Sequence, residues 1–385
     1  MSTAYLDHAA TSRIRPVAAA AYARELVQFG NPSSLHAAGR AARARLEEAR
    51  EQIAQAIGAR PVEVVFTSGG SEADAIALAG IPTALAAAGK ASATVISAIE
   101  HDAVRLTARA TAERLGHRLV ELPTDTRGVI DLDALDAALG EPTGLVSVMW
   151  ANNETGVIQP IADVIERAHA AGALAHSDAV QAVGRIPVDF AASGLDALSL
   201  TGHKIGAPVG TGVLIAKTST PITDLRPGGG QERAIRSGTL DVAGACVLAA
   251  ALTEATAELA AQRDRLAAHT ETLRAALAPL PGVRLTGEGT DQLPGFVHVI
   301  VEGANSEALL LLADMAGLAA ASSSACHAGV QSLSHVVAAL GYRDDDAIAP
   351  LRLSLGWDTT DAEVAHAAAT LPGVIAQAQA AGGAR

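Results

Sequence analysis

The chain has 385 residues, 49% of them apolar, with a formal net charge of −13 from 28 basic and 41 acidic side chains. That much apolar material builds a large core with room for two or three domains, and the acidic balance argues against a surface for nucleic acid. Two cysteines exclude a disulfide framework. With no signal-like segment after Met1 and no apolar run fit to span a bilayer, the expectation is a cytoplasmic protein whose cysteines work as thiols.

Aromatic side chains are only 2% of the chain, so Ala, Val, Leu and Ile must fill the core. Residues 35–57 carry a helical pattern, with Leu46, Ile53 and Ile57 among alternating charges. Short apolar runs follow at 62–66, 94–97, 119–122, 145–150, 174–176, 197–200 and 212–215. Helical stretches such as 102–115 and 161–170 lie between most of them. This alternation predicts an α/β fold with a mainly parallel seven-stranded sheet covered on both faces. An Ala- and Leu-rich helical region, 242–280, leads into a second pattern of strand 296–301, helix 306–315, a polar loop around Cys326, strand 351–355 and a closing helix. The expected division is a large domain over 14–255 and a smaller α+β domain made of 1–13 and 256–385.

Four motifs fall at expected strand ends. Thr201-Gly202-His203-Lys204 follows the run 197–200, and the carboxyl ends of strands in an open α/β sheet are where ligands bind. A lysine there, among Gly202, Gly206 and Ala207, can form a Schiff base with an aldehyde cofactor; alone the signal is weak, because a loop lysine is far more often solvated surface. Asp178, in Ser177-Asp178-Ala179-Val180-Gln181, lies one strand earlier. Its carboxylate suits a protonated pyridine nitrogen, or simply caps the next helix. Thr67-Ser68-Gly69-Gly70-Ser71-Glu72 opens a helix with small residues whose amides can meet a phosphate, without the spacing of a P-loop. Glu100-His101 follows the run 94–97, and an imidazole there can stack on a flat ring or move protons near neutral pH. One cofactor site requires such a convergence.

With further motifs the ordered set resembles the class V aminotransferase-fold family, fold type I of the pyridoxal-phosphate-dependent transferases, and within it the NifS/IscS-type cysteine desulfurases. The pieces run from Leu6-Asp7-His8-Ala9-Ala10-Thr11 and Asn31-Pro32-Ser33-Ser34-Leu35-His36, through Asn152-Asn153-Glu154-Thr155-Gly156, Gly228-Gly229-Gly230-Gln231-Glu232 and Arg236-Ser237-Gly238-Thr239, to Ser324-Ala325-Cys326 and Arg352-Leu353-Ser354-Leu355-Gly356. The resemblance implies that Lys204 binds pyridoxal 5'-phosphate, that His101 stacks on its ring and serves as an acid/base, that Asp178 pairs with the ring nitrogen, and that Gln181 hydrogen-bonds the phenolic oxygen. Gly70, Ser71, Thr201 and His203 would hold the phosphate, with Thr239 reaching across from the second subunit of a homodimer. Asn153, Asn31 and Arg352 would bind L-cysteine, the planar fork of Arg352 suiting its carboxylate. Cys326 would be the nucleophile, taking the sulfur as a persulfide and leaving L-alanine. The acceptor would be a protein, such as an iron–sulfur scaffold or a carrier for tRNA thiolation or DNA phosphorothioation. The spacing from Cys326 to Gly341 resembles the longer-loop, IscS-like group.

His8 stands where many relatives carry Asn, which points to a changed contact on the substrate side. Ser71 replaces the more usual Thr, and Ser322–Ser324 with His327 depart from the common pattern around the cysteine. Cys246, in an apolar helical stretch, reads as an inert buried residue. The rival readings are a selenocysteine or cystine lyase, or an aminotransferase, on the same fold; a catalytically silent scaffold; and a metal enzyme, for which no ligand spacing is present.

Overall fold

The computed structural model describes residues 3–90, 92–322, 333–343 and 347–382. In chain order its strands are β1 Ala4–Tyr5, β2 Val64–Thr67, β3 Ala93–Ser97, β4 Leu119–Leu122, β5 Thr143–Ser147, β6 Leu174–Asp178, β7 Ala197–Thr201 and β8 Gly212–Ala216, then β9 Val283–Leu285, β10 Phe296–Glu302, β11 Leu318–Ala319 and β12 Ile348–Ser354. A seven-stranded sheet has the order β2-β8-β7-β6-β5-β3-β4. Its neighbours run parallel except at β8, which is antiparallel to both β2 and β7. Most of these strands are apolar and buried at every position, as a sheet covered on both faces demands.

One face of the sheet packs against helices Pro16–Glu25, Ala37–Ile57 and Val242–Ala257, through residues such as Leu46, Ile53, Val247 and Leu248. The other is covered by Ile76, Leu78, Val104 and Ala108. A second core gathers Leu6, Leu273, Val299, Leu309, Leu351 and Leu371 around the antiparallel sheet β12-β10-β9 and the parallel pair β1-β11.

The helical region expected over 242–280 is two helices, Val242–Ala257 and Leu259–Leu277, bent by 69° at Glu258. The first sends Val247, Leu248 and Leu252 into the core of the large sheet, and the second sends Leu266, Leu273 and Leu277 into the other core. At the corner the Arg15 guanidinium bonds both Glu254 and Glu258, at 2.9 and 2.8 Å. No single helix among the described residues is long and apolar enough to cross a membrane.

The N-terminal segment threads between the two units. Ala9 N–H donates to Ser354 Oγ at 2.8 Å and Ser12 N–H to the His203 carbonyl at 2.8 Å, so residues 9–12 lie against the turn that carries Lys204. Gly156, with φ +74°, completes the joint. A Cβ there would stand 2.6 Å from the Phe296 Cβ, so a side chain would force the units apart.

Candidate active site

The carboxyl ends of β6 and β7, the start of helix Gly70–Ala75 and the start of helix Asp102–Leu115 converge on a cavity of about 310 Å³. Ten residues singled out from the sequence line it: Gly70, Ser71, His101, Asn153, Asp178, Gln181, Thr201, His203, Lys204 and Arg352. Strand–helix alternation explains the convergence, because each parallel strand ends on the same edge and hands its chain to a loop there.

Lys204 ends the single turn Gly202–Lys204 that follows β7. Its Nζ donates to the carbonyls of Ala9 and Ala10 at 2.5 and 2.6 Å. Burial, reinforced by the nearby Arg352 charge, pushes its amine down to about 8. Asp178 closes β6, and its Oδ1 accepts from the Val180 N–H at 2.9 Å. Burial raises this carboxyl above its usual range, while His101 and Lys204 pull in the other direction. Gln181 Nε2 donates to the Ala9 carbonyl at 3.0 Å, and its Oε1 is buried with no hydrogen-bond partner.

His101 is the N-cap of helix Asp102–Leu115: its Nδ1 accepts from the Ala103 N–H at 3.1 Å. That bond leaves Nε2 to carry the hydrogen of the neutral ring. Gly70 and Ser71, also in the wall, begin their helix, where the first amides have no intrahelical acceptor. Gly212 on β8 lets this turn settle: a Cβ there would lie 2.5 Å from the Gly69 backbone. Thr201 Oγ1 donates to the Thr211 carbonyl at 3.1 Å. Burial and the Lys204 charge push His203 down to about 4.

Arg352 enters from β12, nearly fully buried. Nη1 donates to the Asn153 carbonyl at 2.9 Å, Nη2 to Asp7 Oδ1 at 2.7 Å, and Nε has no partner. Asn152 shapes the turn that presents Asn153, its Oδ1 accepting from the N–H groups of Glu154 and Thr155 at 3.0 and 2.9 Å.

Not every expected residue is in the cavity wall. Asn31 and Thr239 are exposed and stand outside it. Cys326, with His327, Ser323 and Ser324, lies outside the described residues. His8 is corrected: it is fully buried under Gly356, with Nδ1 3.1 Å from Ser12 Oγ and Nε2 3.4 Å from Asp358 Oδ1, and does not line the cavity. Cys246 is half-buried rather than buried, and burial first, then Glu25, pushes its thiol up to about 11. Sequence reasoning missed Asp74, Met149 and Ala151 in the wall, and gave no role to Ala9 and Ala10 there or to Asp7 behind Arg352, all three within the Leu6–Thr11 motif. Asp74 had a legible signal: it is four residues after Gly70, so it shares the helix face that turns to the cavity.

A lysine held at a strand end, with an aspartate and an arginine lining the same α/β pocket, suits an enzyme that works through an aldehyde cofactor. A family model described as aminotransferase class-V matches residues 4–366. An IscS-like cysteine desulfurase of Mycobacterium tuberculosis is 44% identical, over 98% of this chain and 97% of its own. The cysteine desulfurase NifS of Azotobacter vinelandii is 37% identical, over 98% and 94%. A solved NifS-like protein superposes with a TM-score of 0.89 at 29% identity, covering 97% of this chain and all of that one. The chain belongs to the aminotransferase class-V family, in its branch of IscS- and NifS-type cysteine desulfurases.

Enzymes of this family depend on pyridoxal 5'-phosphate, and the pocket fits that group. The depressed Lys204 amine suits an aldehyde, and Asp178, whose proton affinity is raised by burial, suits a cationic ring nitrogen. Gln181 Nε2 gives one hydrogen to the Ala9 carbonyl and has a second to give beside them. A Cβ on Gly70 would approach Val180 Cγ2 to 2.8 Å, so glycine keeps the phosphate end open.

Proposed function

We propose that this protein takes the sulfur from L-cysteine onto the thiol of Cys326, releasing L-alanine. The Cβ–S bond of the substrate breaks as an S–S bond forms on Cys326, so cysteine and thiol become alanine and persulfide. Bound at Lys204, pyridoxal phosphate supplies an aldehyde for the substrate amine and a ring that accepts electrons from Cα. The chain's own groups do the rest. The Arg352 fork takes the substrate carboxylate, with Asn153 beside it. The Lys204 amine, half neutral near pH 8, removes the Cα proton. Asp178 would keep a proton on the ring nitrogen, and His101, whose Nδ1 is taken by the Ala103 N–H, would offer its Nε2 hydrogen as an acid/base. Gln181 donates to the phenolic oxygen, while Gly70, Ser71, Thr201 and His203 hold the phosphate.

The observation that carries this reading is the meeting of Lys204, Asp178 and Arg352 in one cavity. The flanks of the cysteine-bearing segment support the role of Cys326. On its N-terminal side Ala321 pairs with Arg352, with mutual backbone bonds of 3.2 and 2.6 Å. On its C-terminal side Ser334 Oγ bonds the Glu154 carboxylate at 2.8 Å, and His335 Nε2 lies 2.8 Å from the Glu100 carbonyl. Residues next to Asn153 and His101 therefore anchor the C-terminal flank of the segment beside the cavity wall.

The working unit in this reading is a homodimer. Leu26, Val27, Phe29 and Leu35 are 66 to 88% exposed in the stretch that also holds Asn31, an apolar face suited to a second copy. Thr239, exposed and outside its own cavity, would serve the partner's phosphate. A division into 14–255 against 1–13 with 256–385 belongs to the same reading, supported by the separation of the core around Leu46 and Val247 from that around Leu6 and Leu351. The sulfur leaves to a protein thiol in the cytoplasm, on an iron–sulfur scaffold or a thiolation carrier. The test is an assay of alanine and sulfide from L-cysteine with pyridoxal phosphate. Wild type is expected to give equimolar alanine, and Lys204→Ala and Cys326→Ala none; full activity in Cys326→Ala would turn the reading to a lyase.

A further inference from the structure

Below the cavity runs a row of buried polar groups that the reaction above leaves unused. His176 on β6 meets Ser147 Oγ of β5 through Nδ1 at 2.8 Å, and Ser199 Oγ of β7 through Nε2 at 3.0 Å. Asp74 of helix Gly70–Ala75 ends the row, with Oδ1 3.9 Å from His176 Nε2. All four side chains are almost completely buried. Asp74 also lines the cavity, and its Oδ1 has no hydrogen-bond partner among the described residues.

The charges facing Asp74 are of the wrong sign for an anion. Burial and two further carboxyl groups, Asp178 from β6 and Glu100 from the loop after β3, disfavour its anion, and they outweigh the Ser199 hydroxyl of β7, which favours it. No lysine or arginine forms an ion pair with it among the described residues. Burial pushes His176 down to about 3, so this ring is neutral and brings no compensating charge. A second buried anion beside Asp178 would be uncompensated, and proteins meet that situation by keeping the proton. The row is consistent with this state. A protonated Asp74 can give its O–H to Ser199, leaving the Ser199 hydroxyl to donate to His176 Nε2 and the Nδ1 hydrogen of His176 to Ser147.

We propose that Asp74 stays protonated in the folded protein and acts as a positioning residue behind Asp178, so that the cavity floor presents one anion to the cofactor's ring nitrogen instead of two. Asp74 and Asp178 then divide two tasks between like groups. Asp178 carries charge, and Asp74 carries the hydrogen-bonded row that supports it. The second half of the inference rests on the cofactor reading above; the protonation of Asp74 does not.

The two halves are tested separately. In the cofactor-free protein, folded Asp74 holds a proton that the unfolded chain releases above about pH 4, so its contribution to stability is lost as pH rises. Asp74→Asn is neutral at every pH. The unfolding constant of wild type relative to Asp74→Asn is therefore expected to rise up to about tenfold per pH unit between pH 5 and 8; parallel profiles would overturn the proposal. If Asp74→Asn folds poorly, Asp74→Ser serves as the neutral reference in the same comparison. In the second arm, pyridoxal phosphate affinity is read by fluorescence. Asp74→Asn is expected to bind within about threefold of wild type and Asp74→Ala about tenfold more weakly. A tenfold loss in Asp74→Asn would show that Asp74 works as an anion and overturn the proposal. Absence of binding in wild type would instead sink the cofactor reading.

Discussion

Lys204 gives its ammonium hydrogens to the carbonyls of Ala9 and Ala10, yet burial and Arg352 still bring its amine down to about 8. Only the neutral amine attacks an aldehyde. Capture of pyridoxal phosphate by the cofactor-free protein is therefore expected to accelerate through a midpoint near pH 8 and level off above it, followed by the rise of the bound cofactor's visible band. A midpoint above pH 10, that of an ordinary lysine, would contradict the depressed amine. The position of Lys204 at a strand end was legible because Thr201-Gly202-His203 follows a short apolar run. Its acceptors were not, since nothing in residues 9 and 10 shows that an N-terminal segment folds back across the sheet. His8 illustrates the same limit. A change within a motif shows that a contact differs, but the side on which a side chain emerges is set by pairing with Ser354 nearly the whole chain away.

At the scale of elements, the segment before Thr239 is held in an unusual backbone. Glu232, Arg233 and Ala234 have φ of 47°, 60° and 56°, three consecutive non-glycine residues in the left-handed region. Their retention is explained by what Glu232 does: its carboxylate pairs with Arg50 at 2.7 and 3.0 Å and accepts from the Phe66 N–H at 2.7 Å, tying the turn to β2. Arg233 adds a bond to the Ala216 carbonyl at 3.0 Å. Ala234 is exposed and carries strain without side-chain bonds of this kind. Ala234→Gly is expected to stabilise the protein by about 1 kcal/mol in urea unfolding; a loss of stability would mean that the turn is not strained there. The seven sheet strands were legible because each is a short apolar run between helices. β1, β9 and β11 were not, because two or three residues show no period. The bend at Glu258 escaped notice for the opposite reason. The sequence stays Ala- and Leu-rich across it, and only the destination of each half, one core or the other, distinguishes them.

At the scale of the whole molecule, two cores meet along a seam that contains the cavity. Arg185 crosses it, donating from Nη1 to the Leu355 carbonyl at 2.8 Å and lying 5.1 Å over the Phe296 ring. The apolar stretch around Phe29 faces outward from the large unit and is left without a partner in the single chain. Phe29→Asp is expected to shift the protein toward monomer in light scattering at micromolar concentration and to weaken pyridoxal phosphate retention with it. A monomeric wild type that retains the cofactor fully would contradict the dimer. Fold class and family followed from the ordered motifs, whereas the identity of the sulfur acceptor has no counterpart in this chain's pocket.

Transfer of the substrate sulfur to Cys326 is the central step of the proposed function. It is tested most directly by adding one equivalent of heavy-sulfur-labelled L-cysteine to the holoenzyme, alkylating, and locating the label by peptide mass spectrometry. The expected result is a labelled persulfide on Cys326 and none on Cys246, with alanine formed in matching amount. Alanine formed with all the label free as sulfide while Cys326 stays an unmodified thiol would contradict it.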